Sequence, residues 1–483
     1  MAYSDQVSEI EARLEESVRE IPESTPNTLP NAATSRRQIP SFIRILGAGI
    51  ISDVRARTPW YLSDWTDAWN YRVVPATAHI FFANVLPGIA FSLDLIETTQ
   101  QYGVAEVLIS SFMAAFVFSV FGAQPLTIAG VTGPITVFNK TVYRIIAEQP
   151  NAPNYLQFIG WVYLWAAIIH WATAILNLCN FLKFVTIFSC DIFGFYVSWV
   201  YIQYGVQVIT RQFNGDFDGA LVGVILALLM LVTSFFFQHY SETVLFHRHI
   251  RRFLSDYGMP ISLVAASGMA YWGRFKASNP STLPVGGAFQ AANGRAWLVK
   301  FWELDGKWVG IALPFGIILW ILFFFDHNIS VQIPIAVVEQ RVSNLAQGVL
   351  CLVLLTDPFL HILGLVPRGV LAGLFWFMGT DALQDNGITI KLLYLIRDKT
   401  LTSPDDPLRK VRISRLLMFV TIQLVAFGAM FVITQTIAAI GFPVIFVLLI
   451  PLRTYVIPRL PFTQEELFIL DRPASAAFSF VST

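Results

Sequence analysis

Charge is what this sequence has least of. Charged residues make up 13% of its 483 positions, against about 25% in an ordinary soluble domain. Those present gather in short connectors, so a soluble globular chain is excluded. Cysteine is scarce as well. Cys179, Cys190 and Cys351 all fall in apolar stretches, none at metal-ligand spacing, so neither a disulfide framework nor a metal centre is expected. No nucleophile elbow, Walker loop, zinc-protease helix or dinucleotide fingerprint occurs, so an enzyme is not expected and no cofactor is implied. Lys plus Arg and Asp plus Glu balance at 32 each, which gives bulk charge no pull toward nucleic acid. Residues 1–40 lack an apolar signal core. Rich in Glu, Ser, Pro and Asn, they read as a disordered cytosolic tail.

Apolar residues supply 55% of the chain, in runs of roughly 18–25 that recur from Val73 onward. In hydrocarbon every backbone N–H and C=O must be paired within the protein, so such runs read as spanning helices. The fold class expected is an all-α polytopic membrane protein. Candidate spans are 73–96, 104–123, 125–143, 155–179, 184–209, 219–240, 252–272, 308–330, 344–366, 369–386, 415–434 and 437–460, about twelve in all. Before the first lies a segment, 41–72, that mixes Arg44, Arg55 and Arg57 with Trp60, Tyr61, Trp65 and Trp69. That mixture suits a helix lying on the membrane surface. With the N-terminus inside, the connectors holding Arg248, Arg251 and Arg252, and then Lys391, Arg397, Arg409 and Lys410, fall on the cytosolic side. Both termini are then cytosolic, and 461–483 is a cytosolic C-terminal tail.

Two candidate spans are short. One includes the run from Gln124 to Phe138, with Gly130, Gly133 and Pro134; the other is Gly369–Gly379. Gly and Pro inside a short span mark the broken helices of transporters, although small-residue packing uses the same composition. A half-helix starting at depth near Gly133 would point its N–H groups and positive dipole end at an anion, with Thr127, Thr132 and Thr136 as further donors. Asp326, in Phe323-Phe324-Phe325-Asp326-His327-Asn328, ends a very apolar run; it is either a site carboxylate or an interfacial marker. Asp191 reads better as a helix–helix contact, and His79 and His170 as satisfied donors. The Asn139-Lys140-Thr141 sequon lies too close to the membrane to be read as a glycan acceptor.

These residues resemble the bicarbonate-transporter superfamily of solute carriers, the anion exchangers and boron exporters, and within it the fungal boron-transporter branch. The resemblance is carried by Ser52 to Arg57, Tyr61 to Trp65, Phe81 to Phe91, Gln124 to Phe138, Asp191 to Tyr196, Phe324 to Asn328, and Glu339 to Asn344. It implies two inverted seven-span repeats divided into a core and a gate, with the anion held between two half-helices of a core that moves like an elevator. On that pattern 73–460 is the transporter domain: a first repeat over 73–272, an extracellular loop over 273–307 and a second repeat over 308–460. Gln124, Thr132, Gly133, Pro134 and Thr136 belong to the first half-helix. Asp326 and Asn328 flank the substrate, and Asn84 and Phe91 border it. The implied partners are a small inorganic anion (borate or bicarbonate), membrane lipid and a second copy through the gate. The implied location is the plasma membrane, with the vacuolar membrane as the alternative.

The chain also departs from the family. Ser330 runs almost directly into Glu339-Gln340-Arg341, where the family inserts a ninth span and the second half-helix. About twelve spans against fourteen agrees with that gap. Three readings follow: a borate or bicarbonate transporter; a non-transporting truncated paralogue or splice variant; and a sulfate or nucleobase carrier on the same fold, which the Asp64-Trp65 and Asp326-His327-Asn328 motifs disfavour.

Overall fold

Long apolar runs become helices because the helix pairs each backbone polar group within its own segment. The computed structural model describes residues 46–66, 69, 73–122, 130–179, 185–240, 243, 247–329, 340–398, 402–403 and 406–471. The tail over 1–40, Gln124, Thr127 and the junction over 330–339 lie outside these residues, as do the side chains of His79, His327 and Asn328. The segment before the spans holds α1 (Ala48–Arg57) and α2 (Ser63–Thr66). Next come α3 (Val73–Thr99), α4 (Val104–Phe121), α5 (Gly133–Ala147), α6 (Tyr155–Ile175), α7 (Ile187–Gln212), α8 (Phe217–Tyr240), α9 (Arg248–Asp256) and α10 (Gly258–Met269). After an irregular connector follow α11 (Gly306–Ile329), α12 (Gln340–Leu354), α13 (Asp357–Gly364), α14 (Arg368–Gln384), α15 (Gly387–Ile396), α16 (Ile413–Thr434), α17 (Phe442–Pro451) and α18 (Gln464–Leu470).

Among the described residues, eight helices are long and apolar enough to cross a membrane, or nine if one bent pair is a single span. The remaining candidate runs, of the twelve expected, carry helices below that length. The bent pair is α12 and α13, turned by 85° where Pro358 opens α13. The other three candidates are shorter helices: α5 of 15 residues, α10 of 12 and α14 of 17. At 1.5 Å per residue, α5 spans only about 22 Å, less than the hydrocarbon thickness.

The glycines of α14 do not break it. Gly369 and Gly373 lie one turn apart, and a Cβ on either would overlap the carbonyl of Gly223 or of Ala227 on α8. On the other side a Cβ at Gly379 would sit 2.8 Å from the Ser198 carbonyl of α7. Small residues let these backbones meet, and dispersion replaces the hydrophobic drive that lipid cannot supply. The segment expected as a candidate broken helix is therefore a packing helix.

Polar side chains tie the bundle at both ends. Asp94, 1% exposed, accepts from Lys140 at 3.1 and 3.2 Å and pairs with Arg211. Glu97 pairs with Arg211 at 2.8 Å and Arg368 at 2.7 Å, so one cluster joins α3, α5, α7 and α14. Asp191 pairs with Lys391 at 2.7 Å, a contact between α7 and α15. In the segment after 460, α18 opens on a Thr463–Glu466 capping box. Asp471 beyond it accepts from the Phe188 N–H at 2.9 Å and from Arg453 at 2.6 Å.

Gly373→Leu should force α8 and α14 apart and cost about 1–3 kcal/mol or more. Its thermal midpoint in detergent should fall below that of wild type. Gly428→Ala is the control: a Cβ there meets nothing within 4 Å, and helix propensity favours Ala by up to about 1 kcal/mol. Equal midpoints for Gly373→Leu and wild type would contradict the packing.

Candidate functional site

The chain before α5 is extended, with Thr132 at φ −111° and ψ 158°, and the helix begins at Gly133 with Pro134 in its first turn. Proline suits that place because its ring presets φ and its missing N–H had no partner to lose. Thr136 N–H reaches the Thr132 carbonyl at 3.1 Å and closes the first turn. The N–H groups of Gly133 and Ile135 precede that bond and have no carbonyl within the helix to reach. The Thr132 hydroxyl oxygen is buried and has no hydrogen-bond partner among the described residues.

Glycine is required at two points of close approach. A Cβ at Gly133 would lie 3.0 Å from Val200 Cγ1 and 3.2 Å from Phe91 Cζ. One at Gly130 would overlap the Asn84 side-chain oxygen. Phe91 is fully buried; its ring centroid lies 5.3 Å from that of Tyr201, 5.1 Å from Tyr204 and 4.8 Å from Phe375. Asp326 lies near the end of α11, three residues after Phe323. The fold therefore gathers Asn84, Phe91, Thr132, Gly133 and Pro134.

Beside the start of α5 is a cavity of about 710 Å³ between α4, α5, α6 and α11. Gly130 and Val131 before α5 and Ile135 within it form one wall, with Ser110 and Ser111 on α4 and Phe323 on α11. Over 130–147 the chain is thus extended before Gly133 and helical after it, with a hollow beside the junction.

Thr136 corrects one expectation. Its hydroxyl donates to the Thr132 carbonyl one turn back, at 3.1 Å, so that proton serves its own helix. His170 likewise contacts its own helix, with Nδ1 3.2 Å from the Ala166 carbonyl. Asn139 is 4% exposed and accepts from the Tyr163 hydroxyl at 2.8 Å, which places the sequon side chain inside the protein.

Sequence reasoning missed the polar chain behind Gly130. Asn84 donates to Gln347 Oε1 at 3.3 Å, and Gln347 donates to Asn344 Oδ1 at 3.0 Å. Gln347 and Asn344 are 0% and 1% exposed. Their three-residue spacing on one face of α12 was the available signal. The pairing with α3, 263 positions away in sequence, leaves no local periodicity.

Comparison with known proteins follows from this geometry. The profile of the family described as the HCO3- transporter integral membrane domain matches residues 44–216, 214–335 and 332–475. Boron transporter 1 of Saccharomyces cerevisiae is 37% identical over 523 aligned positions, covering 92% of this chain and 88% of that protein. Since 92% of 483 residues is about 444, about 80 of the aligned positions face no residue here. Human Band 3 anion transport protein is 25% identical over 518 positions, covering 88% of this chain and 56% of its own length. The transmembrane domain of BicA, a cyanobacterial bicarbonate transporter, matches with a TM-score of 0.45 at 15% identity, over 74% of this chain and 96% of that one. Matched by the profile through nearly all of its helical part and 37% identical to a yeast relative that it covers almost end to end, this chain belongs to the HCO3- transporter integral membrane domain family, whose members are membrane transporters and not enzymes.

Proposed function

We propose that this chain is a secondary active transporter of a small inorganic oxyanion, borate or bicarbonate, which it receives at the start of α5. The observation that carries the reading is a helix beginning at Gly133 beside a cavity of about 710 Å³. First-turn N–H groups with no intrahelical acceptor, at the positive end of a helix dipole, favour a negative oxygen there. The unpartnered Thr132 hydroxyl supplies one more donor. Asp326, by its charge, governs how readily a second negative group approaches. The names of the relatives, a boron transporter and an anion transport protein, support the substrate class. The inverted repeats, the core and gate, the elevator motion, a homodimer through the gate, plasma-membrane residence and cytosolic termini belong to this proposal. So does the surface-lying role of 41–72, where exposed Ile51, Trp60, Leu62 and Trp69 suit a lipid boundary.

A second reading, a chain that no longer transports, is favoured by three observations at one place in the chain and its alignments. Only ten positions separate α11 from α12, two successive profile matches meet there, at 332–335, and about 80 positions of the yeast alignment face no residue here. Two spans at about 20 residues each, with their connectors, fit within that number. The lost stretch would carry the opposed half-helix, and the anion would keep about half of its backbone donors. Boron efflux from cells expressing this chain decides between the readings. Efflux at the rate of a full-length homologue supports the first, and none from correctly inserted protein supports the second. Coding sequence for two further spans between the codons for Ser330 and Val338 in the genomic DNA would make the gap a matter of splicing.

Two substitutions test the site itself. Gly133→Val should crowd Phe91 and Val200 and weaken oxyanion binding at least about tenfold, or ~1.4 kcal/mol, measured by titration of purified protein; unchanged affinity would return α5 to ordinary packing. Asp326→Asn should change transport rate or its pH dependence while surface expression stays near wild type. Identical kinetics would reduce Asp326 to an interfacial marker.

A further inference from the structure

The α4–α5 connection runs from Gly122 to Thr132; α12 holds its first end directly and reaches its second through Asn84 of α3. A helix leaves its last four carbonyls without intrahelical partners, and on α4 these are the carbonyls of Phe118 to Phe121. Gly122 N–H caps Phe118 at 3.0 Å. Arg341 Nη1 caps Ser119 at 2.9 Å, and the Tyr61 hydroxyl caps Val120 at 2.9 Å. Thus a residue of α12 and a residue of the segment before the spans close the end of α4.

Arg341 is 0% exposed. It stands in the first turn of its own helix, where the dipole disfavours a cation, so its position is set by the negative end of α4. A buried guanidinium also needs a counter-charge. Asp64 provides it, accepting from Arg341 Nε at 2.8 Å while bonded to Arg57. The Tyr61 ring lies under the guanidinium, its centroid 4.8 Å from Cζ. Three and six residues further along the same face of α12 stand Asn344 and Gln347. Gln347 holds Asn84, and Asn84 fills the space beside Gly130, two residues before the extended cap of α5.

We propose that Asp64 is a positioning residue for the oxyanion site: by fixing Arg341 it seats α12, and α12 sets both ends of the connection that delivers the chain to Gly133. The proposal rests on the reading of α5 given above. It gives the Tyr61–Asp64 motif a task inside the protein as well as at its surface. Burial raises the Asp64 carboxyl, and the hydrogen bonds from Arg57 and Arg341 outweigh it, holding the group below its ordinary value. The clamp therefore stays charged at neutral pH.

The test uses the full chain with Thr132→Cys as a reporter, on a Cys179→Ser background because Cys179 is exposed and the other two cysteines are buried. The rate of labelling by a charged thiol reagent measures how tightly the start of α5 is held. Asp64→Asn should raise that rate about tenfold. Tyr61→Phe, which removes only the bond to Val120, should raise it less, and Asp64→Glu should leave it near the starting value. If Asp64→Asn does not fold, Tyr61→Phe decides. A folded Asp64→Asn protein labelled at the unchanged rate would overturn the proposal, even if its thermal midpoint had dropped. Oxyanion binding, with borate or bicarbonate as the probe, is titrated separately on the Cys179→Ser protein with Thr132 intact. Its absence counts against the oxyanion reading, while the effect of Asp64 on labelling rate stands separately.

Discussion

A helix that starts inside a membrane has nowhere of its own to put its first N–H groups. Everything in this structure that bears on function depends on that constraint at Gly133. Lipid offers no acceptor, and an unmet amide at that depth costs several kcal/mol. Either the protein or a solute must supply the oxygen. On the proposed reading the oxygen is a solute's, and the surroundings suit it: an extended approach, glycines where neighbours press closest, a buried hydroxyl, and open volume on one side.

The rest of the molecule holds that helix end in place. Phe91 and its ring of aromatic neighbours back Gly133 from α3, α7 and α14. The α14 glycines bring that helix against α8, which places Phe375 in the ring. Midway along α5, Lys140 is tied through Asp94 to Arg211 on α7. Charged groups thus sit where they join helices, which is why so few suffice.

Much of this was legible in the sequence. Apolar runs located the long helices, because run length in hydrocarbon translates directly into span length. Gly133-Pro134 marked the start of α5, since a missing N–H and a missing Cβ are local properties. The same reasoning misjudged α14, because Gly369 and Gly373 look alike whether they break a helix or admit a neighbour. Only the position of Gly223 and Ala227 on α8 decides. The run over 344–366 also hid a sharp bend, although Thr356-Asp357-Pro358 carries the stop and restart signal. Least legible were Asn84 with Gln347 and Asp64 with Arg341, pairs separated by 263 and 277 positions. Asn84, Asp64 and Arg341 fell in motifs that marked the family, but a motif does not say which side chain meets which.

The direct test of the central claim observes the amide itself. In full-length protein labelled with ¹⁵N-glycine, the Gly133 resonance should shift saturably as borate or bicarbonate is added, while Gly373 and Gly428 stay fixed. A Gly133 amide that does not respond at saturating oxyanion, in protein whose other glycine resonances show it to be folded, would contradict the account.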